Sequence, residues 1–137
     1  MQELTHYLNG AHVKGTSGRF ADVYNPATGE VQAKVPLANE SEMDQAVKYA
    51  MAAQPAWAAV NPQRRARVMM KFVDLLNRDM DKLAEALSRE HGKTLPDAAG
   101  DVQRGLEVVE YCIGAPELLK GDFTDSAGPG IDMYSMR

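Results

Sequence analysis

The sequence has a single cysteine, Cys112, among its 137 residues. One thiol cannot form an internal disulfide, and sparse cysteine is typical of proteins in a reducing compartment. No apolar run approaches the ~20 residues needed to span a membrane. The first ten residues, MQELTHYLNG, have no apolar core of signal-peptide length and are not the arginine-rich kind of transit peptide. We therefore expect a cytoplasmic protein.

The sequence has little excess charge of either sign. Its 15 lysine and arginine residues stand against 19 aspartate and glutamate residues, which gives a net charge of −4. No basic patch of the kind that nucleic acid requires is present. The remaining composition, 45% apolar and 25% charged, is ordinary for a globular protein. The composition predicts a protein that binds neither nucleic acid nor membrane and that is long enough to form its own core.

The first part of the chain has the pattern of β-hairpins, which we predict over residues 7–35. Asn9-Gly10 separates two short apolar runs and favours a type I′ turn, because both central residues of that turn need positive φ. Two further strands are predicted, at 20–24 and at 31–35. The Asn-Pro-Ala-Thr-Gly turn at 25–29 joins them.

The middle of the chain predicts three to four helices over residues 41–120. Ser41 with Asp44 favours a capped start for the first helix, and Pro55 favours its end. Trp57 follows and is expected to fill a gap in the core. The apolar spacing in this helix predicts one buried face, formed by Met43, Ala46, Val47, Ala50 and Met51.

A second helical pattern occupies residues 62–90. Asn61 followed by Pro62 is a start signal, and Gly92 is a stop signal. The pattern leaves open a break near Asp79. Its apolar stripe is Met69, Phe72, Leu76, Met80, Leu83 and Leu87.

The third helical pattern runs from Thr94 to Lys120 and reads as one long helix. Its apolar stripe is Val102, Leu106, Val109 and Ile113. Arg104 lies on a different face. Gly100 and Gly105 each cost helix stability, roughly 1 kcal/mol against alanine, which suggests that something approaches the helix backbone closely.

The last part of the chain predicts a loop at 121–130 followed by a strand at 131–136. This strand runs to Arg137 without a turn, so we expect an unpaired edge that seeks a partner. The fold class is therefore α/β, or α+β if these residues are taken alone.

Two adjacent runs in the third helical region carry a family resemblance. They are Glu-His-Gly-Lys-Thr-Leu-Pro-Asp-Ala at 90–98 and Asp-Val-Gln-Arg-Gly-Leu-Glu-Val-Val-Glu-Tyr at 101–111. They resemble the aldehyde dehydrogenase superfamily, and within it the acylating branch that acts on methylmalonate semialdehyde. The resemblance extends from the turn at 25–30 to Gly-Pro-Gly at 128–130. Because members are much longer, it implies that residues 1–137 are one incomplete N-terminal region of such an enzyme.

The resemblance implies an enzyme that uses NAD and coenzyme A. A cysteine thiolate attacks the semialdehyde, and propionyl-CoA or acetyl-CoA is formed, as in valine catabolism. The enzyme is expected to be a homodimer or homotetramer, and 131–137 resembles the start of its oligomerisation strand.

The resemblance places no catalytic, cofactor-binding or metal-binding residue in this chain, which has no Gly-x-Gly-x-x-Gly run. Cys112 lies mid-helix beside the apolar stripe without a basic neighbour, so we expect it to be buried and inert. The family's cysteine nucleophile is expected outside these residues. We therefore expect the 137 residues alone to be inactive.

Arg104 is the residue that the resemblance assigns to substrate binding. In the superfamily this helix lines the substrate tunnel. In the acylating branch the arginine of Arg-Gly-Leu-Glu is expected to grip the substrate carboxylate, which suits a planar bidentate donor. Gly105 would make room beside it, and Tyr111 would form part of the tunnel wall. The alternative is a surface arginine paired with Asp101 or Glu107.

Two other functions stay open at the level of the sequence. One is a generic aldehyde dehydrogenase that uses NAD(P) and hydrolyses its thioester, in which Arg104 has no carboxylate to hold. The other is a stand-alone helical interaction module without a catalytic half.

Overall fold

The computed structural model describes residues 2–137 and has an α/β composition, as predicted. The chain divides into two compact units. The first unit contains the residues up to Val60 together with Asp81–Gly100. The second unit contains Asn61–Met80 and Asp101–Arg137.

The first unit begins with five short strands. They are β1 (Gln2–Glu3), β2 (His6–Leu8), β3 (Ala11–Val13), β4 (Phe20–Tyr24) and β5 (Val31–Pro36). β5 is the central strand of a three-stranded sheet, parallel to β1 and antiparallel to β4. β2 and β3 form a separate hairpin, in which Asn9 has φ 50° and Gly10 has φ 78°. These positive φ values confirm the predicted turn, and the hairpins predicted over 7–35 are confirmed with it.

Helix α1 (Glu40–Ala58) begins one residue earlier than predicted, and its cap is a different pair. The Asn39 side chain accepts a hydrogen bond from the Glu42 backbone N–H at 2.9 Å, and Glu42 Oε2 accepts one from the Asn39 backbone N–H at 2.9 Å. The predicted Ser41–Asp44 cap is therefore wrong. Asparagine caps a helix as well as serine does, and with glutamate three residues later it satisfies two backbone donors at once.

Pro55 does not end α1, which continues to Ala58. A proline removes one backbone hydrogen bond, and close to the C-terminus the helix has only one further turn to lose. Met43, Val47 and Met51, expected to be buried, are exposed, and so is Trp57. Both burial predictions are wrong for these residues because no part of residues 2–137 covers this face of α1. The amphipathic pattern is present, but its partner surface is not.

The predicted helix at 62–90 is two helices, α2 (Pro62–Arg78) and α3 (Met80–His91), with the break at Asp79. Asn61 caps α2, and its side chain accepts a hydrogen bond from Gln63 N–H at 2.9 Å. The buried residues are Ala66 and Ala84, whereas Phe72 and Leu83 of the predicted stripe are exposed. The buried positions of these two helices are therefore small residues.

The long helix predicted from Thr94 to Lys120 is also divided, into α4 (Leu95–Ile113) and α5 (Ala115–Leu118). The break at Gly114 precedes Pro116. Glycine favours the unfolded chain, and proline lacks the N–H that a continuous helix needs at this position. The prediction of one helix is therefore wrong in its last turns, and residues 41–120 contain five helices rather than three or four.

Residues 121–130 are not a loop, since β6 (Phe123–Gly128) lies there and pairs antiparallel with β7 (Ile131–Tyr134). Gly130 has φ 69° and forms the turn between the two strands. The terminal strand is therefore paired with β6 on one edge, and its other edge has no strand partner among residues 2–137, as expected. Almost every residue of this hairpin is exposed.

Glu42 connects the β2–β3 region to the start of α1. Its Oε1 accepts a hydrogen bond from the Thr16 backbone N–H at 2.6 Å and lies 3.8 Å from His6 Nε2. Hydrogen bonds from the backbone lower the pKa of Glu42 below its ordinary value of 4.5. The bond from Asn39 N–H has the largest effect, and the bond from Thr16 N–H the next largest. The ionised carboxylate is thus favoured by the fold.

We predict that Asn39→Ala lowers the free energy of unfolding by about 1 kcal/mol, because the helix loses its side-chain cap. Ser41→Ala is the matched control at the position that the sequence pattern favoured, and it should change stability by less than about 0.5 kcal/mol. Urea denaturation monitored by circular dichroism measures both. Equal losses for the two variants would contradict the assigned cap.

We predict that Glu42 makes the protein more sensitive to acid. Since its folded-state pKa is lowered, its contribution is present above the unfolded-state pKa and is lost as the pH falls through the folded-state value, below 4.5. The melting temperature of Glu42→Gln should therefore depend less on pH than that of the wild type in this range. Asp44→Asn is the control for loss of a carboxylate from the same helix, and it should follow the wild-type curve.

Candidate functional site

One face of α4 is partly or fully buried. Leu106 is only 3% exposed, and Val102, Val109 and Ile113 are half-buried. Ala98, near the start of the helix, is fully buried. The apolar stripe predicted from the sequence is therefore confirmed. Because residues three and four apart share a helix face, the stripe also determines which residues point away from it.

The other face of α4 carries Arg104 and Tyr111, the two side chains predicted to bind substrate. The Arg104 side chain is 80% exposed, and Tyr111 is 75% exposed. They are seven residues apart, which is about two helical turns, so they lie along one side of the helix. Val108 lies between them and is also exposed. The structure thus places a cation and an aromatic ring on one accessible strip.

Arg104 forms an ion pair with Asp101. Its Nη1 donates to Asp101 Oδ1 at 3.0 Å. Glu107, the other carboxylate within helical reach, instead accepts a hydrogen bond from Gln103 Nε2 at 3.3 Å. Of the two surface partners that the sequence left open, the structure therefore shows Asp101.

The Arg104 guanidinium keeps most of its hydrogen-bonding capacity. An arginine carries five N–H donors in a planar fork. Within residues 2–137, only Nη1 of Arg104 has a protein acceptor. The remaining donors are available to a planar anion such as a carboxylate, which matches the fork in two-point geometry.

Gly100 and Gly105 leave the surface of α4 open. A Cβ built at either position would meet no atom within 4 Å. Within the described part of the chain, nothing makes the close approach to the helix backbone that two glycines suggested. Their cost to helix stability has no packing explanation among residues 2–137.

Cys112 is exposed, so the prediction that it is buried is wrong. Consecutive residues are about 100° apart around a helix, and this step takes Cys112 away from the side on which Ile113 packs. Although Cys112 is adjacent to Ile113 in the sequence, it therefore does not belong to the buried stripe. The thiol faces solvent on the same helix as Arg104.

The first unit has a cleft of about 250 Å³. Its lining includes His6, Lys14, Glu42 and Tyr49, and none of the predicted site residues. Glu42 already accepts two backbone hydrogen bonds there, so its carboxylate serves the fold. Among residues 2–137, no cluster of three potential metal ligands is found, and none of the helices is long and apolar enough to cross a membrane.

Comparison with known proteins gives a consistent set of relatives. A family model described as the aldehyde dehydrogenase family matches residues 12–137. A malonate-semialdehyde dehydrogenase from Pseudomonas aeruginosa is 47% identical over 98% of this chain, which covers 27% of that protein. An acylating, mitochondrial methylmalonate-semialdehyde dehydrogenase from Arabidopsis thaliana is 45% identical over 98% of this chain and 22% of its own length.

A solved structure gives the same result for the fold. A protein from Sinorhizobium meliloti 1021, provisionally named a methylmalonate-semialdehyde dehydrogenase and solved in complex with NAD, superposes with a TM-score of 0.91. It is 63% identical, and the match covers all of this chain and 28% of that one. The chain therefore spans about a quarter of the length of the relatives that it matches.

We predict that Gly100→Ala and Gly105→Ala each raise the free energy of unfolding by up to about 1 kcal/mol, because alanine favours the helix and the added methyl group meets open space. Gly92→Ala is the control and should be destabilising. Gly92 has φ 84°, and its added Cβ would lie 3.0 Å from Pro26 Cγ. Thermal denaturation of the three variants measures the difference. A loss of stability in both α4 variants would show that these glycines are needed for the fold.

Proposed function

Since the chain belongs to the aldehyde dehydrogenase family, we propose that it forms the N-terminal part of an enzyme that oxidises malonate or methylmalonate semialdehyde with NAD. Coenzyme A takes the acyl group to give acetyl-CoA or propionyl-CoA, and the substrate carboxylate leaves as carbon dioxide. The names of the similar proteins from Pseudomonas aeruginosa and Arabidopsis thaliana support this choice of substrate. Because the chain spans about a quarter of their length, the activity belongs to the longer enzyme.

The role of this chain in that enzyme is to recognise the substrate's carboxylate, and Arg104 is the residue that binds it. The observation that carries this role is the exposed guanidinium of Arg104, which has a single protein acceptor among residues 2–137. A malonate-type semialdehyde differs from a simple aldehyde by its carboxylate. Arginine binds that group with two parallel hydrogen bonds as well as with its charge. Tyr111 supplies an apolar wall further along the same side of α4. Gly105 leaves space beside Arg104.

The nucleophile of the enzyme lies outside these residues. Cys112 is eight residues from Arg104, which corresponds to roughly 12 Å along the helix axis. The aldehyde carbon of malonate semialdehyde is separated from the carboxylate by one carbon. A substrate held at Arg104 therefore cannot place its aldehyde carbon on the Cys112 thiol.

We assign NAD and coenzyme A to the longer enzyme, and the residues of this chain do not supply a dinucleotide-binding motif. The sequence has no Gly-x-Gly-x-x-Gly run to receive a dinucleotide. The parallel strand pair among residues 2–137, β1 with β5, is only two residues long. The NAD complex of the Sinorhizobium protein supports NAD, and the word acylating in the Arabidopsis name supports coenzyme A. This chain thus contributes substrate binding and not the redox step.

Assembly is the second contribution that we assign to this chain. The β6–β7 hairpin exposes Phe123, Ile131, Met133 and Tyr134, which is unusual for a pair of strands in an isolated soluble domain. We assign this hairpin to the contact between subunits of a homodimer or homotetramer. The exposed apolar face of α1 is assigned to packing against the rest of the same enzyme, which we place in the cytoplasm.

We predict that Arg104→Ala in the complete enzyme lowers kcat/KM for methylmalonate semialdehyde by about 10²-fold, because a charge-assisted pair with the carboxylate is lost. Propanal lacks the carboxylate, and its kcat/KM should stay within about twofold, since a neutral aldehyde has nothing for the guanidinium to hold. Steady-state kinetics with the two aldehydes measures the ratio.

Gln103→Ala is the matched control at the neighbouring exposed position of α4, and it should leave both substrates unaffected. Arg104→Lys retains the charge and loses the fork, so its semialdehyde activity should fall between those of the wild type and the alanine variant. An equal change for both aldehydes in Arg104→Ala would contradict the proposed carboxylate site. The chain would then remain an aldehyde dehydrogenase whose substrate is recognised elsewhere.

A further inference from the structure

Arg104 is held from its N-terminal side. Long side chains on a helix lean toward its N-terminus, so the guanidinium of Arg104 lies over the preceding turn, which contains Gly100 and Asp101. The 3.0 Å contact between Arg104 Nη1 and Asp101 Oδ1 is the one that this direction favours. Asp101 is the less exposed partner, with its side chain 35% exposed against 80% for Arg104. The carboxylate is therefore the more fixed end of the pair.

The turn beneath the guanidinium is open. Gly100 precedes Arg104 by four residues, so it lies one turn earlier on the same face. Apart from its chain neighbours Ala99 and Asp101 and the helix's own backbone, a Cβ at this position would meet no atom within 4 Å. A substrate carboxylate can approach the guanidinium there without displacing a side chain.

Because Asp101 accepts from Nη1, the pair of donors formed by Nε and Nη2 of Arg104 remains available to a ligand. Nε–H and the nearer N–H of Nη2 point to the same side of a guanidinium, and together they match the two oxygens of a carboxylate. Neither has a protein acceptor among residues 2–137. Arginine has many side-chain conformations, and fixing one of them before the substrate arrives lowers the cost of binding.

We propose that Asp101 is a positioning residue that orients Arg104 so that its Nε and Nη2 donors bind the substrate carboxylate above Gly100. This inference rests on the proposed function of Arg104. Asp101 acts through the arginine and does not contact the substrate. Its negative charge would repel the substrate carboxylate at close range, so the arrangement requires Arg104 to lie between the two anions.

The test uses Asp101→Asn, Asp101→Glu and Glu107→Gln in the complete enzyme, with malonate semialdehyde and propanal as substrates. Asp101→Asn should raise KM for the semialdehyde by about five- to tenfold and leave its kcat nearly unchanged, a modest factor because the pair is solvent-exposed. Asp101→Glu should restore most of the wild-type KM, since a glutamate three residues before an arginine can form the same pair. Glu107→Gln removes a carboxylate at the same spacing on the other side and should have no effect.

The neutral substrate separates positioning from folding. If Asp101→Asn raises KM for propanal to the same degree, or if Asp101→Glu fails to rescue, the role of Asp101 is structural and the inference is overturned. A lower KM for the semialdehyde in Asp101→Asn would show that Asp101 competes with the substrate for Arg104, which also overturns it. The Arg104→Ala variant is measured alongside these variants. If Arg104→Ala loses activity only on the semialdehyde while Asp101→Asn has no effect, only the positioning role of Asp101 is rejected. If Arg104→Ala shows no loss specific to the semialdehyde, the proposed function itself is rejected.

Discussion

Burial of the Leu106 side of α4 is the constraint on which the candidate site depends. A helix with one covered stripe has no freedom to rotate about its axis, because rotation would expose Leu106 and Ala98 and bury charged residues in their place. The direction of every other side chain on α4 follows from that burial. Arg104 points to solvent because the apolar stripe points away from it, and the Asp101 pair then refines a direction that the packing has already set.

The buried positions of the chain are mostly small. Ala33, Ala66, Ala84 and Ala98 are buried together with Leu106, while many large apolar side chains remain exposed. Burial of large side chains is what usually stabilises a domain, at about 25 cal/mol per Å² of apolar surface. The exposed faces of α1 and of the β6–β7 hairpin are thus apolar surfaces that no part of residues 2–137 covers. They fit the proposal that these residues fold as part of a longer enzyme, and they lead us to expect that the isolated chain would aggregate.

Local signals in the sequence predicted the features that depend only on neighbouring residues. The Asn9-Gly10 turn, the Asn61 cap and the α4 stripe each follow from backbone preference or helical spacing, and the structure has all three. Errors occurred where two local signals competed. Asn39 and Glu42 cap α1 instead of Ser41 and Asp44, although both pairs have the spacing of a capping box. Glu42 also accepts a hydrogen bond from the Thr16 backbone N–H.

Burial was harder to predict than helix position. A stripe of apolar residues shows which face of a helix can be covered, but coverage depends on a partner that spacing does not reveal. Met43, Met51 and Trp57 were therefore expected inside and lie outside. Cys112 shows a related limit. It is adjacent in sequence to Ile113 of the stripe, but consecutive residues lie about 100° apart around a helix, so Cys112 is exposed and not buried. The Asp101 partner of Arg104 was one of two possibilities in the sequence, and only the structure shows that Glu107 is engaged by Gln103.

The measurement that tests the carboxylate site most directly is a crystal structure of the complete enzyme with malonate bound in place of the semialdehyde. The expected result is a carboxylate within hydrogen-bonding distance of Nε and Nη2 of Arg104, with the Arg104–Asp101 pair retained. A malonate bound in the enzyme's substrate site with no contact to Arg104 would contradict the proposed role of this helix. Arg104 would then be a surface arginine paired with Asp101.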